Sequence, residues 1–555
     1  MRWDRPAAGR EPAAAALLGW LADPKAPRLC LVTGGSGCGK SALLAWLVHH
    51  GTQKDAPAER TVHAVVPFAG ESMLGTLWSL ADQLGVVAGS VVELVGAIEN
   101  DTRRTVVVLS DLHSGNVAEL VPALLQLPQV RLIVETRTAS PAHRLLSGLH
   151  CAEMDLDLDH WRDQERYELW RASVSDTLAT AAVHRGGTMN LSDPVSVCQA
   201  DPWEVTAAYE RDDDEHGGLR RAWLMVGQSL CHERSAPERA LLLLTALGDS
   251  ADPRLTPVLA EFASGSSWYL EWSRVRGDVA PPWPGPVVTL ATGVGPLAGC
   301  LVVADHRYLR IVRTTDGTPQ GRSVLRAGLP RSVAVLDDGT LLVLDEAGRL
   351  FFESNWATRP PKTGLESLIY DGPSEMDLFL ASLENHSGTA LCTLGGPTTG
   401  SVIIGDSTGT VRTFGDVVRA EVLHDGAVTA VAGLHLPLDD EETVPLIYSG
   451  GTDGMVRAWA LGHSPMAGPL VQRPCPVVSL DVAVTATGPS LVVAWRDGVV
   501  EWITGETGAR QTLRPGRPVR AVAVTEDSRV FVGTDEALTC VMSRRSAPPH
   551  QGRMT

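Results

Sequence analysis

Lysine is scarce in this chain: Lys25, Lys40, Lys54 and Lys362 are the only four among 47 basic residues, against 65 acidic ones. The resulting formal charge of −18 argues against nonspecific binding to nucleic acid or to an anionic membrane surface. Long apolar runs are missing too. None reaches the roughly 18 residues that a transmembrane helix needs. The apolar stretch from Ala13 to Ala22 follows Arg10 and Glu11, which is not the pattern of an export signal. The nine cysteines are an odd number, scattered singly from Cys30 to Cys540 with no C-x-x-C pair. That spacing excludes the usual zinc clusters and a disulfide framework, and fits reduced thiols in the cytoplasm. With 44% apolar and 20% charged residues the composition is that of globular protein. At 555 residues the chain is too long for one core, so about three or four domains are expected.

What the chain does have is a G-x-x-x-x-G-K-S pattern, Gly34-Gly35-Ser36-Gly37-Cys38-Gly39-Lys40-Ser41. A strand candidate at 29–33 precedes it and a helical run from Ser41 to Val48 follows. In that context the glycines let backbone N–H groups close around phosphate oxygens. Lys40 then reaches the β- and γ-phosphates of ATP or ADP, and the Ser41 hydroxyl ligates Mg²⁺. The alternative is a plain glycine-rich turn.

Beyond the loop, strand-like and helix-like segments alternate. Residues 61–68, 105–109, 130–134 and 151–156 read as strands, and 72–84 and 117–127 as helices. Such alternation predicts a parallel sheet between helices, with ligands at the carboxyl ends of its strands. The run Thr105-Val106-Val107-Val108-Leu109-Ser110-Asp111 ends near a carboxylate that can hold Mg²⁺ opposite Ser41; an ordinary strand-end aspartate is the alternative. Arg137 follows the next strand, where a guanidinium can sense a γ-phosphate or lie on the surface. No acid follows Asp111. The next residues are Leu112-His113-Ser114-Gly115, and His113 is either a base or a hydrogen-bonded loop histidine. Hydrolysis is therefore expected to be slow or dependent on a partner.

These residues resemble a family. Gly9-Arg10-Glu11 ahead of a helix, GGSGCGKSALL, VVVLSD and IVETR are similar to the STAND class of P-loop signalling ATPases, and the C-terminal half resembles their bacterial members with WD repeats. The resemblance implies that Arg10 lies near the adenine and that Arg137 is the first sensor. It also implies that residues 158–263, mostly helical in pattern, form a lid over the nucleotide. The acidic run Asp212-Asp213-Asp214-Glu215 lacks the alternating spacing of a calcium loop and reads as solvated.

Residues 264–545 repeat. Hairpin-like units recur with turn aspartates Asp305, Asp345, Asp406, Asp453, Asp497 and Asp535, and a period near 40–45 residues with four strands predicts a propeller. Six blades are expected. The long gap after Asp345 leaves room for a seventh, or for an insertion at 374–385. The last blade lacks an outer strand, which 268–272 is placed to supply. His424, Ser449, Asp453 and Trp459 are spaced to form a hydrogen-bonded chain within one blade.

The expected architecture is an α/β P-loop NTPase domain (1–157), a helical connector (158–263), an all-β WD-type propeller (264–545) and a disordered tail (546–555). The expected function is an ATP-binding switch whose propeller docks a protein partner. With the loop only 33 residues from the first residue, the effector is expected to be a separate polypeptide, and the resemblance points to a peptidase. Neither nucleic acid nor membrane is an expected partner, and assembly of several copies on activation is left open. The alternative is a non-enzymatic scaffold with a degenerate, structural nucleotide site.

Overall fold

The structure is a computed structural model. It describes residues 4–66, 72–99, 101, 103–112, 115–174, 189–232, 234–326, 328–353, 387–395, 401–415, 418–437, 443–505 and 508–544. His113, the candidate insertion 374–385 and the tail 546–555 lie outside them. The chain forms two compact units, Met1–Asp214 and Glu215–Thr555.

The first unit is built on five parallel strands, β1 (Leu29–Thr33), β2 (Ala64–Val66), β3 (Thr105–Leu109), β4 (Val130–Glu135) and β5 (Cys151–Asp155), in the spatial order β2-β3-β4-β1-β5. Every residue of β1, β3 and β4 is buried. This explains why they read as continuous apolar runs: both faces of a parallel sheet are covered by helices. Helices α1 (Glu11–Ala22) and α2 (Lys40–Gly51) cover one face, packing Leu17, Leu21, Leu43 and Leu47 against Val32, Val106, Val108 and Ile133. α3 (Met73–Gln83) begins where Ser72 accepts a hydrogen bond from the Gly75 amide at 2.8 Å, an N-cap readable from the residue type. α4 (Val91–Glu99), α5 (Gly115–Ala118), α6 (Leu120–Leu124) and α7 (Pro141–Leu146) complete the crossovers. After β5 come α8 (Gln164–Val174), α9 (Pro194–Gln199) and α10 (Pro202–Arg211). Asp193 and Asp201 cap the last two, each followed by a proline at the first helical position, where its missing N–H costs nothing.

The helical residues divide between the units. α11 (Leu219–Leu230), α12 (Ala236–Ala246) and α13 (Leu255–Phe262) belong to the second unit. Ser229 Oγ donates to the Arg514 carbonyl at 2.6 Å and Ser273 Oγ to that of Thr245 at 2.7 Å, which ties these helices to the β-structure.

That β-structure is a six-bladed propeller. Six sheets follow one another, with inner strands Thr289–Thr292, Pro330–Val335, Gly388–Leu394, Val428–Pro437, Val477–Thr485 and Val519–Val524. Each inner strand touches the next, and the sixth touches the first. The ring surrounds a channel of about 830 Å³ lined by residues from all six blades. The outer strand of the sixth blade is Trp268–Val275, paired antiparallel with Ala537–Ser543, so residues from both ends of this unit close the ring as expected. Trp268 Nε1 donates to the Thr512 carbonyl of the fifth blade at 3.1 Å, and Trp272 Nε1 to that of Thr314 beside the first blade at 2.9 Å. The closing strand thus holds both neighbours.

The turn aspartates explain the repeat. Asp305, Asp345, Asp406, Asp453 and Asp497 each accept a hydrogen bond from a backbone amide of their own turn, a carboxylate substituting for a backbone acceptor. Asp535 departs from the pattern: Thr534 Oγ1 takes the amides of Glu536 and Ala537, and Asp535 pairs with Arg520 instead. In the fourth blade His424 shares hydrogen bonds with Ser449 Oγ at 2.8 Å and Asp453 at 3.1 Å. Trp459 is not part of this chain, because its Nε1 donates to the His463 carbonyl at 3.0 Å.

Two titratable groups, a half-buried aspartate and a buried histidine, make the propeller's stability depend on pH in opposite senses. Burial pushes the Asp481 carboxyl on the channel wall up to about 7 and lowers the His424 imidazole below its ordinary value. Asp481 therefore contributes stability that is present in acid and lost as pH rises through about 7. His424, which must charge on unfolding, contributes stability that is present above its unfolded pKa near 6.5 and lost as pH falls. Asp481→Asn is expected to stabilise the second unit at pH 8 relative to wild type and to leave a profile that falls only toward acid. Urea unfolding at pH 5, 6.5 and 8 checks this; an unchanged gap between the two proteins across that range counts against it.

Candidate functional site

The carboxyl end of β1 runs straight into the glycine-rich loop, and α2 starts at its far side. Three loop glycines have positive φ, Gly34 (138°), Gly37 (72°) and Gly39 (94°), in the region that side chains other than glycine rarely enter. A Cβ on Gly34 would lie 2.7 Å from Cys38 Sγ, and one on Gly39 would lie 3.2 Å from the Ala8 Cβ. Gly34 is therefore packed against the Cys38 side chain, and Gly39 against the segment before α1. Gly39 is the N-cap of α2, with no side-chain cap and no acid in the first turn. A helix start without its usual oxygen partner leaves backbone donors for an anion.

Lys40 is buried, 6% exposed. Its ammonium donates to the carbonyls of Gly34 at 3.0 Å and Gly35 at 2.7 Å, so it spans the loop it belongs to. The Ser41 hydroxyl donates to Glu135 Oε1 at 2.7 Å. Glu135 ends β4, opposite Val32 of β1, and is 2% exposed. Its carbonyl accepts from the Leu112 amide at 2.8 Å, which places the residue directly after Asp111 against the same strand end. Asp111 itself has φ 55°, an uncommon conformation for a residue with a side chain. Ser41, Glu135 and the backbone following Asp111 thus meet at one strand end. Among the described residues no group of three or more His, Cys, Asp or Glu is arranged to hold a metal ion by itself.

Arg10 is fully buried. One of its nitrogens donates to the Cys38 carbonyl and another to that of Trp161 at 3.4 Å, while the guanidinium lies 5.1 Å from the centre of the Tyr167 ring. Gly9, at φ 60°, turns the chain so closely onto Asp163 that a Cβ there would sit 2.5 Å from its carbonyl oxygen. Glu11 pairs with Arg166. The Gly9-Arg10-Glu11 turn therefore fastens the loop to the start of α8. Burial pulls the Arg10 pKa down and pushes the Cys38 thiol up, so Cys38 is a packed thiol rather than a nucleophile. Arg137 lies on the exposed side of the β4 end.

Two residues went unread in the sequence. Asp157 follows β5 and accepts a hydrogen bond from the Gly35 amide at 2.7 Å. Glu135 reaches Ser41 across 94 positions of chain. Only the strand order reveals either one: β5 and β4 flank β1 in space, although both lie far along the sequence.

Fold and site define a chain with a parallel α/β unit, carrying a lysine-bearing glycine loop at its strand ends, and a six-bladed propeller. No protein-family model matches the chain, and no curated protein matches it. Among solved structures it is similar to that of U3-55K, at 11% identity and a TM-score of 0.31, over 48% of this chain and 98% of that one. Likeness at that level carries no argument about function. Among the described residues no helix is long and apolar enough to cross a membrane.

Proposed function

We propose that the first unit binds ATP or ADP with Mg²⁺ at Gly34–Ser41 and that the propeller docks a protein, so that nucleotide state governs what the propeller engages. The observation that supports this best is the junction itself, in which Lys40 and Ser41 occupy the uncapped first turn of α2 at the carboxyl end of a buried parallel strand. Phosphate would take the backbone donors there and the Lys40 ammonium, which would leave its loop carbonyls to meet it. Ser41 would hold Mg²⁺, with the Asp111 carboxylate near its water shell. The bound ion supplies charge neutralisation of the phosphates. Arg10, in this reading, keeps the loop shaped for the ligand.

A second reading has a specific observation behind it. With Asp157 on the Gly35 amide and Lys40 on its own loop, two of the loop's donors are already engaged by protein groups, as in a purely structural nucleotide site of a propeller scaffold. Calorimetric titration with ATP and with ADP, in Mg²⁺ and in EDTA, separates the two. Saturable binding is expected. The absence of binding of either nucleotide ends the switch reading and leaves the scaffold. Turnover, measured as phosphate release, is expected to be slow, since no acid follows Asp111.

A further inference from the structure

Glu135 is a buried carboxylate with an unsolved partner problem. Oε1 accepts from Ser41, but Oε2 is fully enclosed and has no hydrogen-bond partner. No cation pairs with Glu135 among the described residues; the nearby ammonium of Lys40 bonds the loop carbonyls instead. A buried carboxylate oxygen left bare is unfavourable unless something positive or a donor comes to it. Hydrophobic packing does not answer that need, and a glutamate is a poor choice for a strand end buried only for packing.

Resting on the nucleotide reading above, we infer that Glu135 is the second carboxylate of the Mg²⁺ site, in place of an acid after Asp111. The geometry is suited to it. A serine hydroxyl that donates its hydrogen to Glu135 has its lone pairs turned away from that carboxylate, free to face a metal ion. This is how an outer-sphere carboxylate orients a ligand. Oε2, which has no donor of its own, would be the oxygen left to accept from a water of the metal's shell. Glu135 is thus a positioning residue that acts through Ser41 and through water. β4 sits between β1 and β3, so a carboxylate at its end faces the space bounded by Ser41 on one side and the Asp111 turn on the other.

The test uses the full chain and a non-hydrolysable ATP analogue, first in EDTA and then with Mg²⁺ titrated onto the nucleotide-loaded protein. Wild type, Glu135→Gln and Ser41→Ala are compared by calorimetry. Glu135→Gln is expected to bind the analogue in EDTA within about threefold of wild type, which also shows that the site is folded. Its affinity for Mg²⁺ is expected to fall about 10- to 100-fold, the range for removing an outer-sphere partner. Glu135→Asp, which keeps the charge but draws it back, is expected to recover part of the loss. If Glu135→Gln takes up Mg²⁺ as wild type does while Ser41→Ala does not, this inference is wrong and the nucleotide reading stands. If wild type binds no nucleotide under any condition, both fall.

Discussion

Replacing Trp272 by alanine is expected to destabilise the Glu215–Thr555 unit by about 3–5 kcal/mol, the cost of emptying a buried aromatic site. Trp272 is buried among Trp283, Val287, Leu301, Phe531 and Leu538, residues that come from the linker, the first blade and the sixth. Its ring lies over Gly317, where a Cβ would approach to 2.7 Å, and its Nε1 holds the Thr314 carbonyl. Truncation therefore opens a cavity, strands a carbonyl and loosens the strand that closes the ring. If Trp268–Val275 peels away, the outer edge of the sixth sheet moves in to Ala537–Ser543, and the first and sixth blades keep only their inner-strand contact. Trp272→Phe keeps much of the volume and loses the hydrogen bond, so it should cost roughly 1 kcal/mol more than its volume change alone. Urea unfolding of the full chain, read at the transition of this unit, measures both, since the two units need not unfold together. A loss below about 1 kcal/mol for the alanine variant would show that closure depends on other contacts.

Much of this fold was legible before any coordinates, for identifiable reasons. β3 was read to the residue because a run of β-branched side chains fits a strand buried on both faces. The blades were read from their turns, since a carboxylate that takes its own turn's amides must recur wherever the hairpin recurs. Even the closing strand was legible, because a sixth blade one strand short demands a donor and 268–272 lies where one is needed. α4 was not read: Val91–Glu99 is nine residues long and buries Leu94 and Ile98, too short a stripe to mark a helix by periodicity. The exchange of roles between Thr534 and Asp535 is invisible in sequence for a different reason. Adjacent residues compete for the same amides, and here Thr534 is the buried one of the two. The Trp459 indole N–H donates to the His463 carbonyl instead of joining the expected chain.

The candidate site divides in the same way. The loop, Lys40 and Ser41 are contiguous and were therefore readable. Glu135 and Asp157 depend on strand order, which no local pattern encodes. Arg10 was named from a resemblance, and its contact with the Cys38 carbonyl depends on a turn at Gly9 that brings residues before α1 beneath a loop 28 positions later.

Lys40→Ala is expected to weaken binding of ATP and ADP by about 2–5 kcal/mol, roughly 30- to 4000-fold, the cost of removing one partner of a buried, hydrogen-bonded charge pair. The ammonium already lies within the loop, on carbonyls it can exchange for phosphate oxygens at little cost in order. Its loss leaves those carbonyls unpaired and the phosphate charge to backbone dipoles and the metal ion. Lys40→Arg should fare little better, because a planar guanidinium cannot take the point-like position an ammonium occupies between two carbonyls and a phosphate. If Lys40→Ala binds nucleotide within about threefold of wild type, the glycine loop does not hold the phosphates, and any nucleotide affinity of this chain must be sought at another surface.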